Sequence, residues 1–383
     1  MQRIHRTFGL LCGGLLAAAI ALQAPYARGE DGVSASRILI GQSAAFTGPA
    51  SELGNEMRAG ALAYFEQVNK RGGVNGRRIE MTSLDDGYEP ERASANTKKL
   101  INDGVFLLFG YVGTPTSNAS MPVFTQAQVP FVGAFTGAES LRNPVNRFVF
   151  NIRASYFAET DKIVEQLVNL GLTKIAVFYQ NDAYGQAGLA GVERAVKKRN
   201  LSISVTGTVE RNTIDVGAAV KAIAKTEPQA VVMISAYKSC AAFIKEMKKA
   251  GSVPQFINVS FVGSRALASE LGETGRGVGI TQVVPFPWNV GVPVVKEYQR
   301  DFAAYTGKNE YSFTSLEGFI AAKVLTEGLR RTGPNLTRER FLQTMESLSY
   351  DTGGFNVSYT PADRAGSHFV ELTVITKEGK FLR

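Results

Sequence analysis

Apolar and amphipathic segments alternate along this chain from residue 37 onward. A short, β-rich apolar run is followed by a loop of small polar residues and then by a segment with apolar residues at helical spacing. Strands that alternate with helices of about 10–15 residues are typical of βαβ units around a parallel sheet. The first half is therefore predicted to contain strands 38–42, 79–85, 105–109 and 130–134 and helices 55–70 and 90–102.

The same alternation restarts after Asn151 and predicts a second α/β half. Gly171 and Gly251 follow two of its amphipathic segments, where the end of a helix favours a left-handed residue. Two similar halves indicate two lobes, each built on its own sheet. The second half is predicted to contain helices 157–170, 186–199, 215–226 and 239–250 and strands 174–179, 202–209, 230–235 and 255–260.

The last third of the chain is mainly helical by the same criterion. Residues 368–382 alternate between apolar and polar side chains, which predicts an edge strand or a hairpin. The predicted helices of this section are 293–306, 314–332 and 337–348.

The lobes are expected to be joined by a hinge, because no low-complexity linker occurs in the sequence. Short crossings are expected near residues 152, 284 and 358, which would make a three-segment hinge. The predicted boundaries are 36–153 and 285–358 for lobe 1, and 154–284 and 359–383 for lobe 2.

The N-terminus has the layout of a secretory signal peptide. Arg3, His5 and Arg6 precede an apolar run over residues 8–22, and a more polar stretch follows. A membrane anchor would need about 20 apolar residues, and this run is shorter. We therefore predict that residues 1–29 are a signal peptide and that the remaining protein acts outside the cytoplasm.

The charge distribution argues against a nucleic-acid-binding protein, and the cysteine content excludes a protein stabilised by internal disulfides. Residues 30–383 carry 39 Lys and Arg against 34 Asp and Glu, a net charge of +5 that is scattered over predicted helix faces. No basic patch with interleaved aromatic residues is present, which argues against nucleic-acid binding. Cys240 is the single cysteine after the predicted signal peptide, so an intramolecular disulfide is excluded.

The reactive residues needed by an enzyme are missing. Beyond the predicted signal peptide the one histidine is His368, and the sequence has no GxSxG, HExxH or P-loop motif. Asp85 and Asp86 are adjacent on a predicted strand, so their side chains point to opposite faces. We predict that the protein has no catalytic activity, no metal and no cofactor.

Two loops after predicted strands carry small hydroxyl residues. Residues 110–117 supply Thr114, and residues 133–137 supply Ala134 and Thr136. In open α/β sheets ligands bind beyond the carboxyl ends of the strands, where helix N-termini present unpaired N–H groups that suit an anion. The same residues are also common helix caps and turn formers, so both interpretations stay open here.

Aromatic residues are frequent at the same strand ends of both halves. Together they indicate an apolar cleft with a few polar anchors. They are Phe46, Tyr111, Phe135, Tyr184, Tyr237, Phe261, Phe286 and Trp288.

Several segments in order resemble the periplasmic leucine/branched-chain amino-acid binding proteins of ABC transporters. The resemblance covers nearly all of residues 37–375. It implies the type I periplasmic binding protein fold, with two Rossmann-like lobes that the chain crosses three times and that close on the ligand. The segments are 43-SAAFTGPASELGNEMRAG-60, 72-GGVNGRRI-79, 85-DDGYEP-90, 183-AYGQAGLAG-191 and 317-EGFIAAKVL-325.

The resemblance also implies roles for individual residues. Thr114 and Thr136 would hold the ligand carboxylate, and Ala134 would contribute its backbone. Tyr184 and Tyr237 would close over the ligand from the second lobe. Phe135, between the two loop residues, and Ser260, after the predicted strand 255–260, complete the candidate site.

Ser260 is also a departure from the family. Amino-acid-binding members place an acidic residue just after the matching strand, where it pairs with the ligand ammonium. Because Ser260 carries no charge, we predict a ligand without an α-ammonium group, although another acid could substitute. The acids in nearby loops are Asp85, Asp86, Glu139 and Asp182. Tyr88 and Gly113 stand where some members have a disulfide, a departure that affects stability alone.

The predicted function is that of a periplasmic, monomeric solute-binding protein of an ABC transporter. It would capture a branched-chain amino acid or an aromatic or aliphatic organic acid and deliver it to membrane permease subunits. The alternative is a ligand-sensing receptor module of the same fold. The chain ends at Arg383 without a predicted transmembrane helix, which favours the transporter subunit.

Overall fold

A computed structural model describes residues 29–383, so the signal peptide predicted for residues 1–29 lies, apart from Gly29, outside the described residues. The first sheet is formed by five parallel strands in the order β2-β1-β3-β4-β5. Its strands are β1 (Arg37–Ala44), β2 (Arg78–Asp85), β3 (Leu107–Phe109), β4 (Phe131–Val132) and β5 (Val149–Phe150). The helices between them are α1 (Ser51–Lys70), α2 (Pro90–Asn102) and α3 (Thr114–Gln126).

The second sheet has seven strands in the order β14-β13-β10-β9-β8-β6-β7, and the last five of this order are parallel. These are β6 (Ile175–Gln180), β7 (Ile203–Val209), β8 (Ala230–Ile234), β9 (Gln255–Asn258) and β10 (Gly279–Gln282). The accompanying helices are α4 (Tyr156–Asn169), α5 (Ala183–Lys197), α6 (Gly217–Ala224), α7 (Tyr237–Lys249) and α8 (Ser264–Leu271). Two α/β units are therefore present, each with its own sheet, and the predicted fold class is confirmed.

The last third of the chain adds helices to the first lobe and a hairpin to the second sheet. Helices α9 (Pro293–Thr306), α10 (Phe313–Thr332) and α11 (Arg338–Glu346) are followed by the hairpin β11 (Ser349–Asp351) and β12 (Asn356–Ser358). Helix α10 packs on α1, where Tyr64 and Phe319 meet edge to face at 5.0 Å. The closing hairpin of β13 (Glu371–Ile375) and β14 (Phe381–Leu382) extends the second sheet antiparallel to β10. The hairpin predicted from the alternating pattern is thus confirmed.

Three segments connect the two sheets: residues 151–155, 283–292 and 359–370. The first and third lie side by side, because the Asn151 amide donates to the Arg364 carbonyl at 2.9 Å and the Gly366 amide donates to the Asn151 carbonyl at 2.8 Å. Three short crossings agree with the predicted hinge. The lobe boundaries given above stay predictions.

Helix starts are where the sequence prediction was wrong. Thr114 was placed in a loop, but it opens α3, a helix that was not predicted because it contains Pro115 and Pro122 among small polar residues. Helix α5 begins at Ala183, where the Asp182 carboxylate caps it. The short helix α8 and the strand β10 also lacked a long periodic pattern. Among residues 29–383, no helix combines the length and apolar character needed to cross a membrane.

The tight crossing of α1 and α10 gives the first prediction. A methyl group at Gly60 would lie 1.8 Å from the Ser315 carbonyl oxygen, whereas one at Gly217 would meet no atom within 4 Å. Gly60→Ala should therefore lower the free energy of unfolding by about 1–3 kcal/mol. Gly217→Ala, the control, should leave it unchanged or raise it by up to about 1 kcal/mol. Denaturant unfolding measures both, and equal stabilities would contradict the packing described.

Candidate ligand-binding site

Two loops at the carboxyl ends of β3 and β4 form the centre of the site. The Phe135 amide donates to the Tyr111 carbonyl at 2.7 Å, and the Gly113 amide donates to the Phe135 carbonyl at 3.2 Å. These backbone bonds hold the loops side by side. As a result, the first residue of α3, Thr114, lies against Thr136 of the neighbouring loop.

Thr114 and Thr136 form a buried hydroxyl pair, with 2.7 Å between their Oγ1 atoms. Thr136 Oγ1 also donates to the Tyr156 hydroxyl at 3.3 Å and accepts from the Ala138 amide at 3.2 Å. The pair lies at the N-terminus of α3, where unpaired N–H groups give a partial positive charge. Neutral donors beside a positive helix end are suited to an anion such as a carboxylate.

Aromatic rings from both lobes meet next to the hydroxyl pair. The ring of Tyr184, on α5, lies 5.4 Å from Tyr156 and 4.5 Å from Phe261. Phe261 in turn lies 5.3 Å from Phe135 and 6.0 Å from Tyr88 in the first lobe. Within the described chain the buried Tyr184 hydroxyl has no hydrogen-bond partner. The rings form an apolar surface, and the Tyr184 hydroxyl is a polar group on that surface without a hydrogen-bond partner among residues 29–383.

Ser260, after β9, contacts a buried cation that the sequence analysis missed. The fully buried Arg153 lies in the first crossing, and its Nη2 donates to Ser260 Oγ. Its guanidinium carbon lies 4.5 Å from the centre of the Phe135 ring. Arg153 therefore joins the hydroxyl-pair loop of the first lobe to the β9 end of the second.

Two buried carboxylates surround Arg153. Glu317 Oε1 on α10 lies 3.5 Å from its Nε, and Glu159 Oε1 on α4 lies 3.9 Å from its Nη2. The second oxygen of Glu159 accepts from the Ser260 amide at 2.8 Å and from Thr281 Oγ1 at 2.5 Å. Burial raises the pKa of Glu317 to about 7, although Arg153 opposes that rise.

Arg142 places a second guanidinium behind the hydroxyl-pair loop. Its Nη1 donates to the Ala138 carbonyl at 2.9 Å and lies 3.5 Å from the Thr136 carbonyl. Its Nη2 donates to the Arg153 carbonyl at 2.9 Å. Burial lowers the pKa of Arg142 to about 10, so it stays charged at neutral pH. We call Arg142, Arg153, Glu159 and Glu317 the buried ion cluster.

The structure brings together most of the predicted site residues. Thr114, Phe135, Thr136, Tyr184 and Ser260 are linked through the contacts above. The Ala134 carbonyl accepts the Thr136 amide at 2.9 Å and is thus engaged within its own loop.

Tyr237 has a partner outside these contacts. As the first residue of α7, it directs its hydroxyl to the Glu52 amide of α1, at 3.5 Å. The larger aromatic set also divides, since Phe286 and Trp288 pack with Phe313 and Phe381 in a separate group.

Three of the four acids considered as substitutes, Asp85, Asp86 and Asp182, hold other partners. Asp86 is buried and accepts from Ser43 Oγ and the Tyr88 amide, both at 2.8 Å. Asp85 accepts from the Phe46 amide of the neighbouring loop at 2.8 Å and from the Gly87 amide of its own turn at 3.0 Å. Asp182 caps α5. Burial raises the pKa of Asp86 to about 6.

Ion pairs at the rim of the cleft also join the lobes. Arg265 of α8 pairs with Glu56 at 2.6 Å and with Glu52 at 3.4 Å, both on α1. On another part of the rim Arg211 pairs with Glu89 at 2.8 Å. These rim pairs exist only while the lobes are together. Among the described residues no cluster of His, Cys, Asp and Glu is arranged to bind a metal ion.

Comparison with known proteins assigns the family. A family model described as "Periplasmic binding protein" matches residues 37–380. The chain belongs to this family. A curated relative in Pseudomonas aeruginosa, the leucine-, isoleucine-, valine-, threonine- and alanine-binding protein, is 23% identical over 94% of this chain and 92% of its own length.

Two solved structures show the same fold. One is a possible leucine/isoleucine/valine-binding protein from Rhodopirellula baltica, with a TM-score of 0.87 and 34% identity over 92% of this chain and 97% of that one. The other is a substrate-binding periplasmic protein from Ralstonia solanacearum, with a TM-score of 0.85 and 35% identity over 90% and 99%. The predicted family and the type I periplasmic binding protein fold are confirmed.

The buried ion cluster predicts a pH dependence of stability. The pKa of Glu317 is raised in the folded state from 4.5 to about 7, so its contribution is present below pH 4.5 and is lost as the pH rises to 7. At about 1.4 kcal/mol per pKa unit, the wild type should lose up to about 3 kcal/mol over this window relative to Glu317→Gln. Urea unfolding at several pH values measures the difference.

The control for this experiment is Glu339→Gln, because the Glu339 side chain on α11 is exposed. It should keep the pH dependence of the wild type. Parallel curves for the wild type and Glu317→Gln would show that Glu317 does not take up a proton in the folded state.

Proposed function

We propose that this chain is a periplasmic solute-binding protein of an ABC transporter that captures a small carboxylate-bearing solute and delivers it to a membrane permease. The observation that carries the proposal is the buried hydroxyl pair, Thr114 and Thr136, at the N-terminus of α3 and beside aromatic rings from both lobes. Export rests on the signal peptide predicted for residues 1–29 and on the family.

A carboxylate fits the hydroxyl pair for electrostatic reasons. In the structure the two hydroxyls are hydrogen-bonded to each other and Thr136 also donates to the Tyr156 hydroxyl, so each carries a donor that an arriving carboxylate could accept instead. The positive end of α3 and the guanidinium of Arg142, which lies on the far side of the Thr136 loop, both favour negative charge there. Burial removes competing water and strengthens these interactions.

The hydrocarbon part of the solute has a matching environment. Phe135 precedes Thr136 in the loop, and its ring continues through Phe261, at 5.3 Å, to Tyr184, a further 4.5 Å away, as one apolar surface. Branched-chain amino acids and aromatic or aliphatic acids all combine one carboxylate with an apolar body. The name of the Pseudomonas aeruginosa relative, which includes leucine, isoleucine and valine, supports a solute of this size.

Lobe closure provides the first test of this function. Scattering should show a smaller radius of gyration when a binding solute, found by thermal-shift screening of such acids, is added. Arg265→Gln removes a rim cation that touches no part of the hydroxyl pair, and it should weaken binding by about 1 kcal/mol, roughly fivefold.

The matched control for this experiment is Arg37→Gln, which breaks an exposed pair with Glu80 inside the first lobe. Its affinity should equal that of the wild type. A radius of gyration that does not change on saturation would remove hinge closure from the proposal.

Thr136→Val tests the hydroxyl pair itself. The substitution keeps the shape but removes a hydroxyl that the ligand carboxylate would use, so affinity should fall by about 1.5–3 kcal/mol in calorimetry. Thr326→Val is the control, because the Thr326 hydroxyl on α10 donates only to its own helix, at Ala322. Unchanged affinity in Thr136→Val, with the control also unchanged, would place the carboxylate elsewhere.

A further inference from the structure

The side chain of Tyr88 lies next to the start of α3, although the sequence did not place it in the site. Tyr88 belongs to the turn between β2 and α2, and its side chain is fully buried. A methyl group built on Gly113 would lie 2.2 Å from Cε2 of the Tyr88 ring. The ring therefore packs directly against the residue that precedes Thr114 of the hydroxyl pair.

The Tyr88 ring also contacts the second lobe. Its centre lies 6.0 Å from that of Phe261, the ring that contacts both Phe135 and Tyr184. Nε2 of Gln180, the last residue of β6, donates to the Tyr88 hydroxyl at 3.3 Å. Tyr88 therefore borders the apolar surface of the site and is held by both lobes.

The position of this ring is fixed by the residues on either side of it. Tyr88 has a φ of +66°, which is unusual for a large side chain and persists where the surroundings hold it. Asn212, in the loop after β7, donates to the Gly87 carbonyl at 3.0 Å and to Glu89 at 2.7 Å. Arg211 donates to Glu89 at 2.8 Å. The ring cannot move aside without disturbing these contacts between the lobes.

We infer that Tyr88 determines which solutes fit: its ring is a fixed wall of the cleft and limits the size of the solute's apolar body. This inference rests on the proposed function, since it assumes that the solute carboxylate binds the hydroxyl pair. It adds a specificity-determining residue that the first lobe supplies from the turn after β2.

The physical reason is that packed protein interiors yield little to extra volume. A solute whose carboxylate reaches Thr114 must share the space beside Phe261 with the Tyr88 ring. Each added methylene beyond the available space forces side chains or backbone to shift. Here the shift would push the ring away from Gln180 or keep the lobes apart, and both cost affinity. A smaller acid keeps the carboxylate and apolar contacts without either cost.

Carboxylic acids of graded size test the inference. One series is butyrate, hexanoate, octanoate and decanoate, and the other is benzoate and naphthoate. Calorimetry on the wild-type protein should show affinity that falls by at least about tenfold at the largest acid of one series, compared with the best acid of that series. The ratio of these two dissociation constants is the readout, since general damage to the site would weaken both acids.

Tyr88→Gly removes the ring and suits the left-handed backbone, so the ratio should drop by at least about tenfold. Tyr88→Asn, which also tolerates that backbone, should lower the ratio in the same way if the glycine variant does not fold. The matched control is Gln128→Gly. Gln128 has a φ of +55° and is exposed before β4, at the opposite end of that strand from the hydroxyl pair. Its ratio should equal that of the wild type.

The outcomes separate this inference from the proposed function. An unchanged ratio in a folded Tyr88 variant that still binds the acids would overturn the inference and leave the solute-binding proposal intact. Wild-type protein that binds decanoate and naphthoate as tightly as the smaller acids would also overturn it. If the wild type and the variants bind none of the acids while uncharged solutes do bind, the carboxylate site is wrong, and the inference with it.

Discussion

A guanidinium that has lost its water must find opposite charge and hydrogen-bond acceptors, and Arg153 finds them on three different parts of the chain. Glu317 comes from α10 of the first lobe, and Glu159 and Ser260 come from the second lobe. Loss of both carboxylates would leave the buried guanidinium uncompensated, at a cost of several kcal/mol. The placement of the lobes, of the first crossing and of the Phe135 loop therefore depends on this one group.

The fold could largely be predicted because its strands and long helices have simple patterns. Strand β8 is apolar at every position and fully buried, and α10 carries a long apolar face. Patterns fail where an element is short or its composition is unusual for it. Helix α3 contains two prolines and α8 has eight residues, so neither gave a periodic signal. The start of α5 depended on the capping carboxylate of Asp182, which a hydrophobic pattern does not contain.

Only some of the residues at the candidate site could be predicted from the sequence. The rule that ligands bind beyond the carboxyl ends of strands was enough to select Thr114 and Thr136, because it depends on local order along the chain. The ion cluster depends on pairs far apart in sequence, such as Arg153 with Glu317, and no local pattern reports them. A signal did exist: Glu317 is the one acidic residue within the mainly apolar segment 313–325. The role of Tyr237 stays a prediction: it opens α7, and its hydroxyl accepts from the Glu52 amide of α1.

The packing of the C-terminal third of the chain on the first lobe has a consequence for the order in which the protein folds. Residues 156–282 form a continuous stretch that contains all five parallel strands of the second sheet. The first lobe instead needs α10 to cover α1, and the residues in contact, such as Gly60 and Ser315, are separated by most of the chain. Contacts between distant residues form late because a long loop must close first. The second lobe should therefore be structured while the first still exposes the apolar face of α1. A nascent chain would then need protection at that face until its C-terminal third arrives.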